Sequence, residues 1–428
     1  MRLIGFHPDD PLRAGASLSA STRRNTRHKP VPICVTNAYP NKPNLPLLLY
    51  PDLALRAERG NPGTADKSLD CFVALRLATT DISSIFPRHG VEAEADWRAN
   101  STSNTSHLKM TGARPSPDIV AMGEPMYEFN SARGQVGPAD GEAAGRNWLG
   151  GFGGDTSNAA IAAARLGASV GYITALGDDA FGTAFRALWA AENVDASTVA
   201  TRSDGHTAVY FVNHGPSGHQ FSYLRAGSAA SRMGPADVPV DYIAGARILH
   251  VSAISQAISP SAADAVFAAI AAARAAGVTV SYDTNLRLKL WPLDRARAII
   301  HAAVAQSQIC LPGLDDAQLL TGLNDPNAIA DFYLDLGVEI VALTLGKDGA
   351  LVATRQRREI IPGITCAAID ATGAGDAFDG GFLTDYLAGK DPFAAARFAN
   401  VAAGLSTEGW GAVDPLPRRA QVEARIKD

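Results

Sequence analysis

The sequence predicts an α/β fold built on a largely parallel sheet. From Asp118 onward, short apolar runs alternate with longer segments of helical periodicity, the pattern left by strands joined through helical crossovers. A hydrophobic content of 46% with 40 glycines and many alanines is ample for a sizeable core.

The elements follow in chain order. Residues 119–122 read as a strand ending at Gly123, and 156–166 as an Ala-rich helix stopped by Gly167. A strand at 170–175 and a helix over 180–191 come next. Thr207, Ala208, Val209, Tyr210, Phe211 and Val212, a Gly215 to Gly218 turn, and the run from Gln220 to Arg225 predict a β-hairpin. It is either a lid over a substrate or an ordinary edge hairpin. Beyond it, 248–252 is a strand, and Ser259 as N-cap with Pro260 at the first position starts a helix ending at Gly277. Strands at 278–282, 308–311 and 340–344 alternate with helices over 314–320 and 329–336, and a last helix covers 392–405.

The first quarter differs. Basic residues outnumber acidic ones over 1–109, with a cluster at Arg23, Arg24, Arg27 and Lys29, scattered prolines and a polar tract at 101–106. Asp9 and Asp10 and the absence of an amphipathic Arg/Ser helix argue against a transit peptide. Residues 1–117 are expected to be a disordered extension, or not native protein at all, with a start near Met110. The domain then covers 118–428. A net charge of −5 gives no reason to expect nucleic acid or an anionic membrane as partner. Cys34, Cys71, Cys310 and Cys366 lack close spacing and suggest reduced thiols of a cytoplasmic protein.

The chemistry concentrates in Asp370-Ala371-Thr372-Gly373-Ala374-Gly375-Asp376, followed by Phe378, Phe382, Leu383, Tyr386 and Leu387 at helical spacing. Such a loop delivers free backbone N–H groups at a helix start, where the dipole favours an anion. Asp376 beside that site suits a base that deprotonates a hydroxyl attacking a bound phosphoryl group. The bland alternative is a turn with Asp as a helix cap. Neither a P-loop nor a complete G-x-G-x-x-G is present. Gly150-Gly151-Phe152-Gly153-Gly154-Asp155-Thr156-Ser157-Asn158 opens the first helix, with Asp155 and Asn158 suited to sugar hydroxyls or, in the bland reading, with Asp155 or Thr156 capping a flexible loop.

Together these two stretches resemble the signatures of the ribokinase-like (PfkB) carbohydrate kinases. The resemblance implies a Rossmann-type three-layer core with a small β-sheet lid that includes about 207–226. It also implies transfer of the γ-phosphoryl of Mg·ATP to a sugar hydroxyl. It casts Asp376 as catalytic base and Gly373, Ala374 and Gly375 as the anion hole. Thr344, Gly346, Lys347 and Gly349 are similar to the family's nucleotide-side turn, and Asn400 to a position near the adenine. Lys347 is equally well a solvated turn residue. Asp370 and Thr372 match a monovalent-cation site of some members.

The segments Tyr223 to Ala230 and Tyr282 to Arg287 are similar to those of 2-keto-3-deoxygluconate kinases. Arg225 and Arg287 then hold a sugar carboxylate, a planar acceptor suited to guanidinium, and Gly154, Tyr210, Tyr223 and Ile254 line the pocket. The expected ligands are a sugar acid, ATP and Mg²⁺, in a homo-oligomer. Where many members carry Asn-x-x-Glu, this chain has Gly313 and Asp316; Asp316 is left to order Mg²⁺ through water. The rivals are fructo-, ribo- or nucleoside kinases, or a non-catalytic sugar-binding protein of this fold.

Overall fold

The structure, a computed structural model, describes residues 116–131, 148–215 and 218–427. The extension expected over 1–117 lies outside them save for its last two residues. β1 (Ile119–Met122) runs through Gly123 into β2 (Met126–Ser131), and β3 (Trp148–Gly153) feeds α1 (Asp155–Arg165). β4 (Val170–Ile173) and β5 (Ala175–Gly177) precede α2 (Ala180–Ala191), which is followed by β6 (Val194–Asp195) and β7 (Ala200–Arg202). β8 (Ala208–Gly215) and β9 (Gly218–Leu224) form the predicted hairpin. α3 (Val240–Ala244), β10 (Ile248–Ser252), α4 (Ala253–Ala257) and α5 (Pro260–Ala275) come next. The alternation continues through β11 (Thr279–Asp283), α6 (Leu293–Val304), β12 (Ile309–Leu311), α7 (Leu314–Thr321), α8 (Pro326–Asp335) and β13 (Ile340–Thr344). β14 (Ala350–Ala353) and β15 (Arg358–Ile361) are followed by α9 (Ala374–Gly389), α10 (Pro392–Ser406) and α11 (Arg419–Lys427).

Nine strands make the main sheet in the order β15-β14-β13-β12-β11-β10-β1-β4-β6. Pairing is parallel from β6 to β13 and antiparallel across β13, β14 and β15. Strand residues split between two cores with the two-residue period of the pleat. Val120 and Met122 of β1 join the cluster with α5, α6, α7 and α8, while Ile119 and Ala121 join that with α1, α2, α9 and α10. That is a helix–sheet–helix sandwich. Among the described residues no helix is long and apolar enough to cross a membrane.

A second sheet, β3-β2-β8-β9, stands off the core. The hairpin expectation captured only half of it. Residues 150–153, read in the sequence as glycines of a loop opening α1, belong to β3 and pair antiparallel with β2. One side of this sheet packs aromatic rings on α2: Tyr127, Phe129 and Phe152 meet Phe181 or Phe185 at 4.8 to 5.8 Å between centroids. Smaller differences have local causes. The strand expected at 170–175 breaks at Thr174, and the helix expected from 329 starts at Pro326 because Asp325 caps Asn327 N.

The helices begin in different ways. Side chains cap α2 (Asp179), α5 (Ser259), α8 (Asp325) and α10 (Asp391). α1 and α9 instead start at Gly154 (φ 104°) and Gly373 (φ 79°), with no side-chain cap. Those two helices also touch backbone to backbone. A Cβ on Gly380 would lie 2.5 Å from Ala159 O of α1, while Gly381 faces α10, where a Cβ would lie 3.2 Å from Ala399 Cα.

Candidate active site

The carboxyl ends of β1, β10, β11, β12 and β13 open on one side of the main sheet, as ligand sites of open parallel sheets do. α1 and α9 bring their N-termini to the same place. Asn158 Nδ2 donates to Asp376 Oδ2 at 2.7 Å, joining residues 218 positions apart.

The loop before α9 is braced from behind and open in front. Asp370 Oδ1 accepts from Thr372 N (3.0 Å) and Oγ1 (2.7 Å), and Gly411 N donates to Asp370 Oδ2 at 3.0 Å. A Cβ on Gly373 would press on Ala412 O at 3.0 Å, whereas one on Gly375 would meet nothing within 4 Å. Positive φ with a wall behind fixes glycine at 373. The open space at Gly375 leaves that side of the α9 start accessible to an anion, whereas Ala374 N, expected in the anion hole, donates to Ala371 O at 3.2 Å. Asp376 is not the cap of α9; the N-cap is Gly373.

Four carboxyls gather here, which raises the cost of ionising them together. Burial, then the charge of Asp155, pushes Asp376 up to about 7, against the opposing hydrogen bond from Asn158 and charge of Arg287. Burial also raises Asp283 and Asp379 well above the carboxylate range, with Asp155 adding to the first and Asp283 to the second. His250 is held down at about 4 by burial and stays neutral. A neutral imidazole does not offset the acids, although its Nε2 lies 3.9 Å from Asp379 Oδ2.

On the α1 side, Asp155 Oδ2 accepts from Ser252 Oγ and, at 3.4 Å, from Asn285 Nδ2. Asp155 Oδ1 and Asn158 Oδ1 are buried without a hydrogen-bond partner among the described residues. Two such oxygens beside the raised carboxyl of Asp376 call for hydroxyl donors from a ligand. Gly154 must be glycine, because a Cβ there would sit 2.5 Å from Glu124 O and 2.8 Å from Pro125 Cα. Ile254, in the first turn of α4, follows Ser252 at the end of β10.

The lid supplies Tyr210, buried and donating its hydroxyl to Glu128 Oε2, and Tyr223, stacked on it at 6.3 Å. The two arginines do not stand free and convergent. Arg225 Nε donates to Glu124 Oε2 at 2.8 Å, while Arg287 Nη1 donates to Leu286 O at 2.8 Å and lies 3.8 Å from Asp316 Oδ2.

On the other side, Thr344 N donates to Pro312 O at 2.9 Å, and Gly346 (φ 61°) and Gly349 (φ 99°) shape the turn that exposes Lys347. Asn400 Nδ2 donates to Ile361 O and Pro362 O, both at 3.0 Å. Both amide hydrogens are thereby spent on protein carbonyls, so the residue orders that segment. Asp316 Oδ2 accepts from Leu286 N at 2.9 Å, and burial raises its pKa. One oxygen of Asp316 remains for a metal-bound water. No cluster of three or more His, Cys, Asp or Glu among the described residues forms a cage, so Mg²⁺ fits here mainly as a passenger on nucleotide phosphates.

Sequence reasoning missed Glu124, Glu128, Ser252 and Asn285. Their signal was positional: Glu124 and Ser252 stand at carboxyl ends of parallel strands, and Asn285 follows another by two residues.

A raised carboxyl beside a helix start with no side-chain cap, under a lid, is the layout of a phosphoryl-transfer centre. The chain belongs to the pfkB family carbohydrate kinases, whose model matches residues 116–419, and has the ribokinase-like fold of an ATP-dependent sugar kinase. It is 34% identical over 277 residues to the 2-dehydro-3-deoxygluconokinase of Bacillus subtilis (strain 168), covering 64% of this chain and 85% of that one. It is 33% identical over 314 residues to the enzyme of the same name from Thermoproteus tenax, covering 72% and 94%. Among solved structures it is similar to the fructokinase of Vibrio cholerae O395 with fructose, ADP and calcium bound. There the TM-score is 0.64 and the identity 30%, covering 72% of this chain and 99% of that one.

Proposed function

We propose that the protein phosphorylates 2-keto-3-deoxygluconate, or a close keto-deoxy sugar acid, on its terminal primary hydroxyl at the expense of ATP. The observation that carries the chemistry is Asp376, at the uncapped start of α9 and hydrogen-bonded to Asn158. Asp155 Oδ1 and Asn158 Oδ1 accept from sugar hydroxyls, which satisfies two buried oxygens. Asp376 takes the proton of the attacking hydroxyl, and the amides of Gly373 and Gly375 hold the transferring group. Bound with the nucleotide, Mg²⁺ would supply neutralisation of phosphate charge, and Asp316 would order its water. The lid strands exclude water from the reacting centre.

The sugar-acid choice rests on Arg225 and Arg287 in segments similar to those of 2-keto-3-deoxygluconate kinases, and on two relatives of that name. A second reading, a neutral hexose such as fructose, is favoured by the engagement of Arg225 with Glu124. Coupled ADP release over a panel of acidic and neutral sugars separates the two. The acid reading expects kcat/KM to be highest for the keto-deoxy acid, and Arg287→Ala to raise KM for it far more than for ATP. Equal effects on both substrates would count against carboxylate recognition.

A further inference from the structure

Four chain crossings join the lid to the core: after β1, after β3, before β8 and after β9. One carboxylate sits among them. Glu124, 1% exposed, follows β1; its Oε1 accepts from Ser228 Oγ, and its Oε2 from Arg225 Nε at 2.8 Å. The same knot draws in the other crossings. Ala229 N donates to His206 O at 2.8 Å, and the Gly154 backbone leaves no room for a Cβ against Glu124 O.

A buried carboxylate persists only when its oxygens are engaged, and both of these are. The guanidinium is not equally satisfied. Arg225 Nε and Nη2 lie 2.8 and 2.5 Å from Glu124 Oε2, so one edge of the guanidinium is held in an ion pair. Glu124 therefore grips the Nε–Nη2 edge of a planar fork of five donors, and Nη1 makes no hydrogen bond among the described residues. Tyr223, stacked on Tyr210, lies 5.8 Å from Arg225 Cζ and bounds the fork on one face.

We infer that Glu124 is a positioning residue for sugar recognition, holding Arg225 by one edge at the lid root so that its remaining donors meet the sugar's carboxylate. The inference rests on the sugar-acid reading above and extends it to a residue that does not touch the ligand. Glu124 acts through geometry and against charge, since its own carboxylate weakens the attraction of Arg225 for an anion. The sign of its effect is thus informative.

Steady-state kinetics of wild type, Glu124→Gln, Arg225→Gln and the double variant test it, with 2-keto-3-deoxygluconate, fructose and ATP varied separately. Glu124→Gln is expected to raise KM for the acid by about tenfold, with KM for ATP changing by less than about twofold. On the Arg225→Gln background the same change is expected to add nothing, because the group it positions is gone. That double variant also removes both buried charges and so keeps the test alive if the single one folds poorly. Ser228→Ala offers a milder form, with an expected rise of about threefold.

A KM for the acid that stays constant or falls in Glu124→Gln overturns the inference, as does additivity in the double variant or a parallel rise for ATP. A wild-type enzyme that ignores the acid overturns the substrate reading and this inference with it. One that takes the acid while Glu124→Gln behaves like wild type overturns the inference alone.

Discussion

α9 and α10 pack side by side, and they begin in opposite ways. α10 starts with Asp391, whose side chain accepts from Phe393 N at 3.0 Å, followed by Pro392 at the first helical position. α9 starts with Gly373 in the left-handed region and has no side-chain acceptor. The first arrangement satisfies a helix end from within the protein. The second offers its first donors no side-chain acceptor, and α1, starting at Gly154, does the same. The two helices that meet at Asp376 and Asn158 both begin at a glycine of positive φ without a side-chain cap.

The largest expected effect comes from the residue proposed as the base. Asp376→Asn is expected to lower kcat by about a thousandfold with ATP affinity largely kept, as general-base losses run; an unchanged kcat refutes the base. The same variant carries a stability signature. A carboxyl whose folded pKa is raised stabilises the fold while protonated, and that contribution is lost as pH rises from the unfolded value of 3.8 toward about 7. The Tm of Asp376→Asn should therefore exceed that of wild type at pH 8, with the gap closing toward pH 4.

Next is Gly373→Ala, which imposes a Cβ at positive φ against Ala412 O. KM for ATP is expected to rise by at least about tenfold, with a stability loss of about 1–3 kcal/mol. An unaffected ATP KM would show that the start of α9 does not hold phosphate. In wild type, kcat/KM should fall as pH drops below about 7, because Asp376 must be ionised to act. Asn158→Ala removes a hydrogen bond that favours ionisation, so its acid limb should move to higher pH. A limb that moves down or stays put assigns the titration elsewhere. The smallest effect belongs to the capped helix: Asp391→Ala should cost about 1 kcal/mol in thermal or urea unfolding and leave both KM values alone.

The core was legible because its physics is local. Ser259-Pro260, the apolar run at 340–344 and the helical spacing of Phe378, Phe382 and Leu383 each announce an element without tertiary help. The lid was half legible. β8 and β9 share a turn, but β3 is a glycine-rich strand that owes its conformation to pairing with β2, and nothing in Gly150-Gly151-Phe152-Gly153 favours a strand locally. In the site, motif and spacing brought out Asp376, Asp155 and Asn158. What they could not supply was who neutralises whom. The partner of Arg225 lies 101 residues away, and Asn400 and Asp370 are occupied by backbone groups that only the fold brings near.

Gly380 carries a consequence for how such an enzyme diversifies. With α1 and α9 in backbone contact there, the distance between Asn158 and Asp376 is set inside the core and owes little to the hairpin overhead. Mutations in the overhanging strands are then free to exchange one sugar clientele for another while the reactive centre keeps its dimensions.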